Sequence, residues 1–120
     1  MKILIVNDSR FETLVLETML KELGLQTNSC DEYNAIEKAR SEAPDLILVN
    51  LYMKEINGDV LIEKLKKVLP KGIYVLTSSN EKELRTKMKS KNVTTILKTP
   101  ASKKDLKEMV KKVSTDYLSQ

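Results

Sequence analysis

Asn7 with Asp8, Asn50, Thr77 with Ser78, and Lys98 with Thr99 each follow a short apolar run. Together they offer one carboxylate, one amine, several hydroxyls and two neutral amides. The 120 residues contain no histidine, which removes imidazole bases, Ser-His-Asp triads and histidine metal ligands. Any chemistry must therefore rest on carboxylates, lysines or hydroxyls. An asparagine amide is a poor nucleophile, so Asn7 and Asn50 can contribute hydrogen bonds but no covalent step. Cys30 stands alone and cannot form an internal disulfide, which fits a reducing compartment. The three glycines, Gly24, Gly58 and Gly72, form no phosphate-cradling loop.

The elements that must position these residues follow from periodicity. Ile3–Val6, Leu46–Val49, Ile73–Leu76 and the looser Val93–Leu97 read as strands covered on both faces, and the more polar Leu25–Cys30 as an edge strand. Apolar residues three and four apart mark helices between them, including Phe11, Val15, Leu16, Met19, Leu20 and Leu23, with Tyr117 closing the last stripe. Ser9 and Glu12, and Ser102 and Asp105, have capping-box spacing; Asp31 and Asn80 are candidate N-caps. The predicted elements are β1 2–7, α1 9–23, β2 25–30, α2 32–42, β3 45–50, α3 58–69, β4 72–77, α4 80–89, β5 93–98 and α5 102–117. Strict alternation predicts an α/β fold, a doubly wound five-stranded parallel sheet of order 2-1-3-4-5 with helices on both faces. In such a sheet the functional crevice lies at the carboxyl ends of β1 and β3. The polar residues above arrive there.

The stretches Ile3-Leu-Ile-Val-Asn-Asp-Ser-Arg10, Pro44-Asp-Leu-Ile-Leu-Val-Asn-Leu-Tyr-Met53, Ile56-Asn-Gly58, Val75-Leu-Thr-Ser78 and Ile96-Leu-Lys-Thr-Pro100 resemble the receiver domain of two-component response regulators, the chemotaxis-regulator-like family. The resemblance runs along the whole chain and implies one domain, 1–120. In that family two adjacent acids after β1 and an aspartate ending β3 hold Mg²⁺, and that aspartate takes a phosphoryl group from a partner kinase's histidine. A hydroxyl after β4 and a lysine before the last proline stabilise the product. The residue types suit the task, since Mg²⁺ prefers oxygen anions and phosphoryl transfer depends on positioning and charge neutralisation.

Here the pattern departs at several positions. Asn7 replaces the first acid, Asn50 stands at the phosphoacceptor position, and only Asp8 and Thr77 keep the family's types. Thr99 stands directly before Pro100, while Lys98 comes one residue early, and a one-residue shift along a strand turns a side chain to the opposite face. Ile96 fills the position of an aromatic switch residue with a stiff, β-branched side chain. The resemblance implies a pseudo-receiver without aspartyl phosphorylation, with Asp8 the one weak candidate ligand for Mg²⁺ and no cofactor expected. Asn7 and Asn50 are expected to hydrogen-bond each other and Asp8, removing the repulsion of clustered carboxylates. Asp8 and Ser9 could also simply cap α1, and Ser79 is expected in turn or cap chemistry. The Thr99–Pro100 bond is implied to be cis. Were an aspartate the natural residue at 50, a phosphorylation-competent, Mg²⁺-dependent receiver would follow.

Charge divides along the chain. Residues 1–60 carry 6 basic and 11 acidic side chains, residues 61–120 carry 15 and 6. Lys82, Arg85, Lys87, Lys89 and Lys91 lie on or just after α4, and Lys103, Lys104, Lys107, Lys111 and Lys112 on α5. Such runs are commonly solvated helix faces, but in the resembling family the α4-β5-α5 face receives partners or a second copy. The expected partner is a signalling protein, either a histidine kinase or an acidic protein, with a homodimer also open. A basic nucleic-acid-binding module is the alternative, weakened because Phe11, Tyr33, Tyr52, Tyr74 and Tyr117 are not interleaved with the lysines. An enzyme using Asp8 as nucleophile would want a second carboxylate two residues on, where Arg10 stands. The longest apolar runs are four residues, far below the roughly 18 needed to span a membrane. The expectation is a cytoplasmic, non-enzymatic signalling module.

Overall fold

A strand of four consecutive apolar residues has no face to offer water, so layers must cover it on both sides. The computed structural model describes residues 1–118, with side chains through residue 114; the Tyr117 side chain lies outside those described. The elements are β1 Lys2–Val6, α1 Arg10–Glu22, β2 Gln26–Cys30, α2 Ala35–Glu42, β3 Leu46–Asn50, α3 Gly58–Val68, β4 Ile73–Ser78, α4 Glu81–Lys87, β5 Thr95–Lys98 and α5 Lys103–Leu118. The sheet order is β2-β1-β3-β4-β5, every pairing parallel. The doubly wound arrangement predicted from alternation is thus the one observed.

Strand alternation divides the core in two. Leu4, Val6, Ile47, Val49, Tyr74 and Leu76 pack with Ala35, Ala39, Leu61, Ile62, Leu65 and Leu84 of α2, α3 and α4. Ile3, Ile5, Leu46, Leu48 and Val75 pack with Leu16, Leu20, Leu106, Met109 and Val113 of α1 and α5. Each fully buried Leu, Ile or Val contributes about 1.5–3 kcal/mol relative to exposure, so the central strands hold the layers together. Tyr74 fits in this core because its hydroxyl donates to the Leu69 carbonyl at 2.7 Å.

Several predicted boundaries move, each for a local reason. α2 begins at Ala35, not 32, because Asp31 accepts from both the backbone and side-chain nitrogens of Asn34 and makes a turn instead of an N-cap. Ala43, at φ 44° before Pro44, ends that helix in the left-handed region. α4 stops at Lys87 and leaves Met88 exposed, although Asn80 caps its start as expected. In α1 only Leu16 and Leu20 are fully buried; Phe11 is 79% exposed, and Leu14 and Val15 also face water. The apolar stripe of α1 is therefore buried at Leu16 and Leu20 but exposed at Phe11 and Val15. Ser102 and Asp105 form the expected reciprocal capping box, bonding each other's backbone nitrogens.

Gly58 opens α3 directly behind the end of β3. Its nitrogen donates to the Leu51 carbonyl at 2.7 Å, and a Cβ there would collide with the Asn50 carbonyl and come within 3.0 Å of Leu76 Cδ1. Backbone cannot yield as a flexible side chain would. Gly58→Ala is expected to cost about 1–3 kcal/mol, measured as a lower urea midpoint at unchanged slope.

Candidate functional site

The apolar strands end together, so their first polar residues converge. Register pairs Val6 with Val49 and Asn50 with Thr77, which brings Asn7, Asp8, Asn50 and Thr77 to one edge of the sheet. Thr77 and Asn7 are buried, Asn50 is half-buried and Asp8 is exposed. Asn7 Oδ1 accepts from the Ser9 nitrogen at 2.9 Å, turning the chain toward α1. Ser9 Oγ then caps that helix by accepting from Glu12 N, so capping falls to Ser9 and leaves Asp8 for another contact. Asp8 Oδ2 accepts from Lys54 N at 3.0 Å, and Glu32 Oε2 from Glu55 N at 3.1 Å. Two carboxylates from the ends of β1 and β2 thereby hold adjacent amides of the segment that joins β3 to α3.

The expected bond between Asn7 and Asn50 does not form, nor does either amide bond Asp8. Asn50 Nδ2 donates instead to the Tyr52 carbonyl at 2.8 Å. Both amides bond backbone groups of their own turns, two residues further along the chain. Asn7 Nδ2 is left buried with no hydrogen-bond partner. Among the described residues no group of three or more His, Cys, Asp or Glu side chains could hold a metal ion.

The remaining site positions disperse. Thr99 is buried, its nitrogen bonded to the Ser78 carbonyl, and it lines a groove with Ser9, Phe11 and Pro100. The Thr99–Pro100 bond is cis. Lys98 is exposed beside Asp105, Glu108 and Lys112 of α5, and no ion pair joins it to Asp8. Ile96 is half-buried against the α2-α3-α4 side of the core. Turn chemistry after β4 belongs to Ser78, whose hydroxyl accepts from Asn80 N, and not to Ser79.

Of the cations read as a docking face, three are used within the fold. Lys87 pairs with Asp59 of α3 at 3.0 Å, Arg85 with Glu81, and Lys103 with Glu22 of α1. The hydrogen bond to Asp59 holds the Lys87 amine above its ordinary range. Lys82, Lys89, Lys104 and Lys107 are exposed and carry no ion pair among the described residues, and Lys111 is also exposed. Burial pushes the Cys30 thiol up to about 12, which makes it a poor nucleophile. Sequence reasoning missed Glu32, Lys54 N and Tyr52 O, the last two being backbone groups without a residue-type signal. For Glu32 the only signal was its place as the second of two acids after β2.

This fold, with its functional edge at the ends of β1, β3 and β4, defines the class. The family model "Response regulator receiver domain" matches residues 3–111, and the chain belongs to that family, the receiver domains of two-component response regulators. Chemotaxis protein CheY of Thermotoga maritima is 25% identical over 80 residues, 65% of this chain and 67% of that one. A protein-glutamate methylesterase/protein-glutamine glutaminase of Hydrogenovibrio crunogenus is 29% identical over 84 residues, 68% of this chain but 22% of the relative. Hybrid signal transduction histidine kinase D of Dictyostelium discoideum is 27% identical over 109 residues, 7% of its length. The chain thus spans only a minor part of these last two relatives. Among solved structures, a CheY-like receiver domain protein of Methanospirillum hungatei superposes with a TM-score of 0.88 at 19% identity, covering 98% of this chain and 96% of that one. No helix among the described residues is long and apolar enough to cross a membrane.

The Asp8 contact gives a local test. Asp8→Ala removes the acceptor for Lys54 N, and hydrogen exchange at that amide should quicken by up to about tenfold, the equivalent of one net hydrogen bond. Asp8→Asn keeps an acceptor oxygen and should retain most of the protection; both are read by NMR at residue 54.

Proposed function

We propose that this receiver domain is a pseudo-receiver, a two-component signalling module that works by binding proteins and is not switched by aspartyl phosphorylation. The observation that carries this reading is Asn50, at the phosphoacceptor position, with its side-chain nitrogen donated to the Tyr52 carbonyl. A mixed anhydride with phosphate requires a carboxylate oxygen as nucleophile, and a neutral amide held by its own backbone does not supply one. Thr99 in place of lysine before Pro100 and Ile96 at the switch position support the same reading. The chain is then no enzyme, and its output is set by surface, not by a covalent state.

Two surfaces support protein binding. Lys82 on α4, Lys89 just beyond it, and Lys104, Lys107 and Lys111 on α5 present exposed positive charge, suited to an acidic signalling protein whose association would weaken with salt. Phe11, Leu14 and Val15 expose apolar surface on α1 beside the site. Similarity to a histidine kinase and to chemotaxis proteins favours a partner from a cytoplasmic phosphorelay, a histidine kinase included.

The reading is tested by incubating the chain with acetyl phosphate and Mg²⁺, with CheY as positive control, and recording intact mass. No phosphoryl adduct is expected on the wild type. A stable gain of one phosphate would overturn the proposal.

A further inference from the structure

A divalent cation at the ends of β1 and β3 needs free oxygen donors, and in this chain N–H groups hold most of them. Mg²⁺ takes six oxygens in near-octahedral array and relies on one or two carboxylates, completing its shell with water or phosphate. Five oxygens at this edge are candidate donors: Asn7 Oδ1, the two Asp8 carboxylate oxygens, Asn50 Oδ1 and the Tyr52 carbonyl; N–H groups of the chain hold three of them and leave Asp8 Oδ1 and Asn50 Oδ1. Asn7 Oδ1 is bound by Ser9 N, Asp8 Oδ2 by Lys54 N and Tyr52 O by Asn50 Nδ2, at 2.8 to 3.0 Å. Of the four side-chain atoms left buried and unpaired among the described residues, the one that belongs to these site residues is a donor, Asn7 Nδ2, which a cation repels. The residues present do not fit the metal that the family implies.

We infer that the chain closes this site to divalent cations with its own N–H groups, and that the Asn50 amide is the closing group. The inference deepens the pseudo-receiver reading and rests on it. The two asparagines are not equivalent in this respect. Asn7 meets its neighbour as an acceptor, and an aspartate at 7 would accept from Ser9 N in the same way, leaving the contacts unchanged. Asn50 meets its neighbour as a donor. An ionised aspartate at 50 cannot donate, so the Tyr52 carbonyl would be released and a second carboxylate added at the strand end adjoining Asp8. The side chains are isosteric, so the backbone need not move.

The test is Mn²⁺ titration of the ¹⁵N-labelled chain, because paramagnetic broadening reports occupancy without any phosphoryl chemistry. In the wild type, the amide signals of Asp8, Leu51, Lys54 and Thr77 should keep their intensity relative to the rest of the chain. Asn50→Asp alone should lose those signals selectively, whereas Asn7→Asp alone should not. A second measurement, thermal unfolding with and without Mg²⁺, should show no shift for the wild type and a rise for Asn50→Asp. Selective broadening in the wild type would overturn the inference, and so would a silent Asn50→Asp or an Asn7→Asp that binds. Metal binding by a wild type that still takes no phosphate defeats this inference alone, while phosphate uptake defeats the reading beneath it.

Discussion

The central strand β3 is hydrogen-bonded on both sides and covered on both faces, and that double confinement organises the molecule. Leu46, Ile47, Leu48 and Val49 are all but inaccessible, so nothing polar can enter the strand before Asn50. Parallel pairing imposes the same rule on β1 and β4, whose apolar residues end level with it. Polar side chains gather at one edge because they are expelled from the layer together. The site is a consequence of the sheet, and its chemistry depends on which residue types are expelled there.

A cluster of carboxylates at such an edge repels itself, raising its own pKa values and rewarding a bound cation. Two amides and one acid create no such demand. Asn7 and Asn50 turn to the nearest backbone groups, and Asp8 finds the Lys54 amide across the crevice. Glu32 does the same one residue further along, from within a nearly closed environment. The segment between β3 and α3 is therefore anchored by two carboxylates from the ends of β1 and β2. Each of these hydrogen bonds contributes about 0.5–1.5 kcal/mol net, somewhat more where a carboxylate accepts.

The fold was legible because it rests on one-dimensional pattern: apolar runs alternating with 3.6-residue stripes permit few arrangements. The convergence of Asn7, Asp8, Asn50 and Thr77 was legible for the same reason, as the first polar residues beyond their runs. The partners of those residues were not. Asn50 finds a carbonyl two residues on, and neither propensity nor spacing distinguishes that from a bond to Asn7. Phe11 and Val15 share helical spacing with Leu16 and Leu20, yet the first two face water and the last two are buried, so the same periodicity yields exposed and buried members. Asp31 failed as a cap because Asn34 offers two donors at turn distance, a competition that sequence alone leaves open.

Charge shows a similar division between pattern and outcome. The basic second half suggests a uniform face, but Lys87, Arg85 and Lys103 meet acids within the fold, and two of the three pairs join different helices. Lys87 ties α4 to Asp59 of α3, and Lys103 ties α5 to Glu22 of α1. Exposed pairs of this kind add little to stability, typically 0–1 kcal/mol, so their main effect is on shape and on which cations remain available. Among the described residues, Lys82 on α4, Lys89 just beyond it, and Lys104 and Lys107 on α5 carry no ion pair. On the pseudo-receiver reading no phosphate arrives, and the stiff, β-branched Ile96 at the switch position has no polar group to exchange between rotamers. A partner would then meet a single arrangement of these lysines, and its affinity would depend on salt and on its own acidity, not on the state of the site behind them.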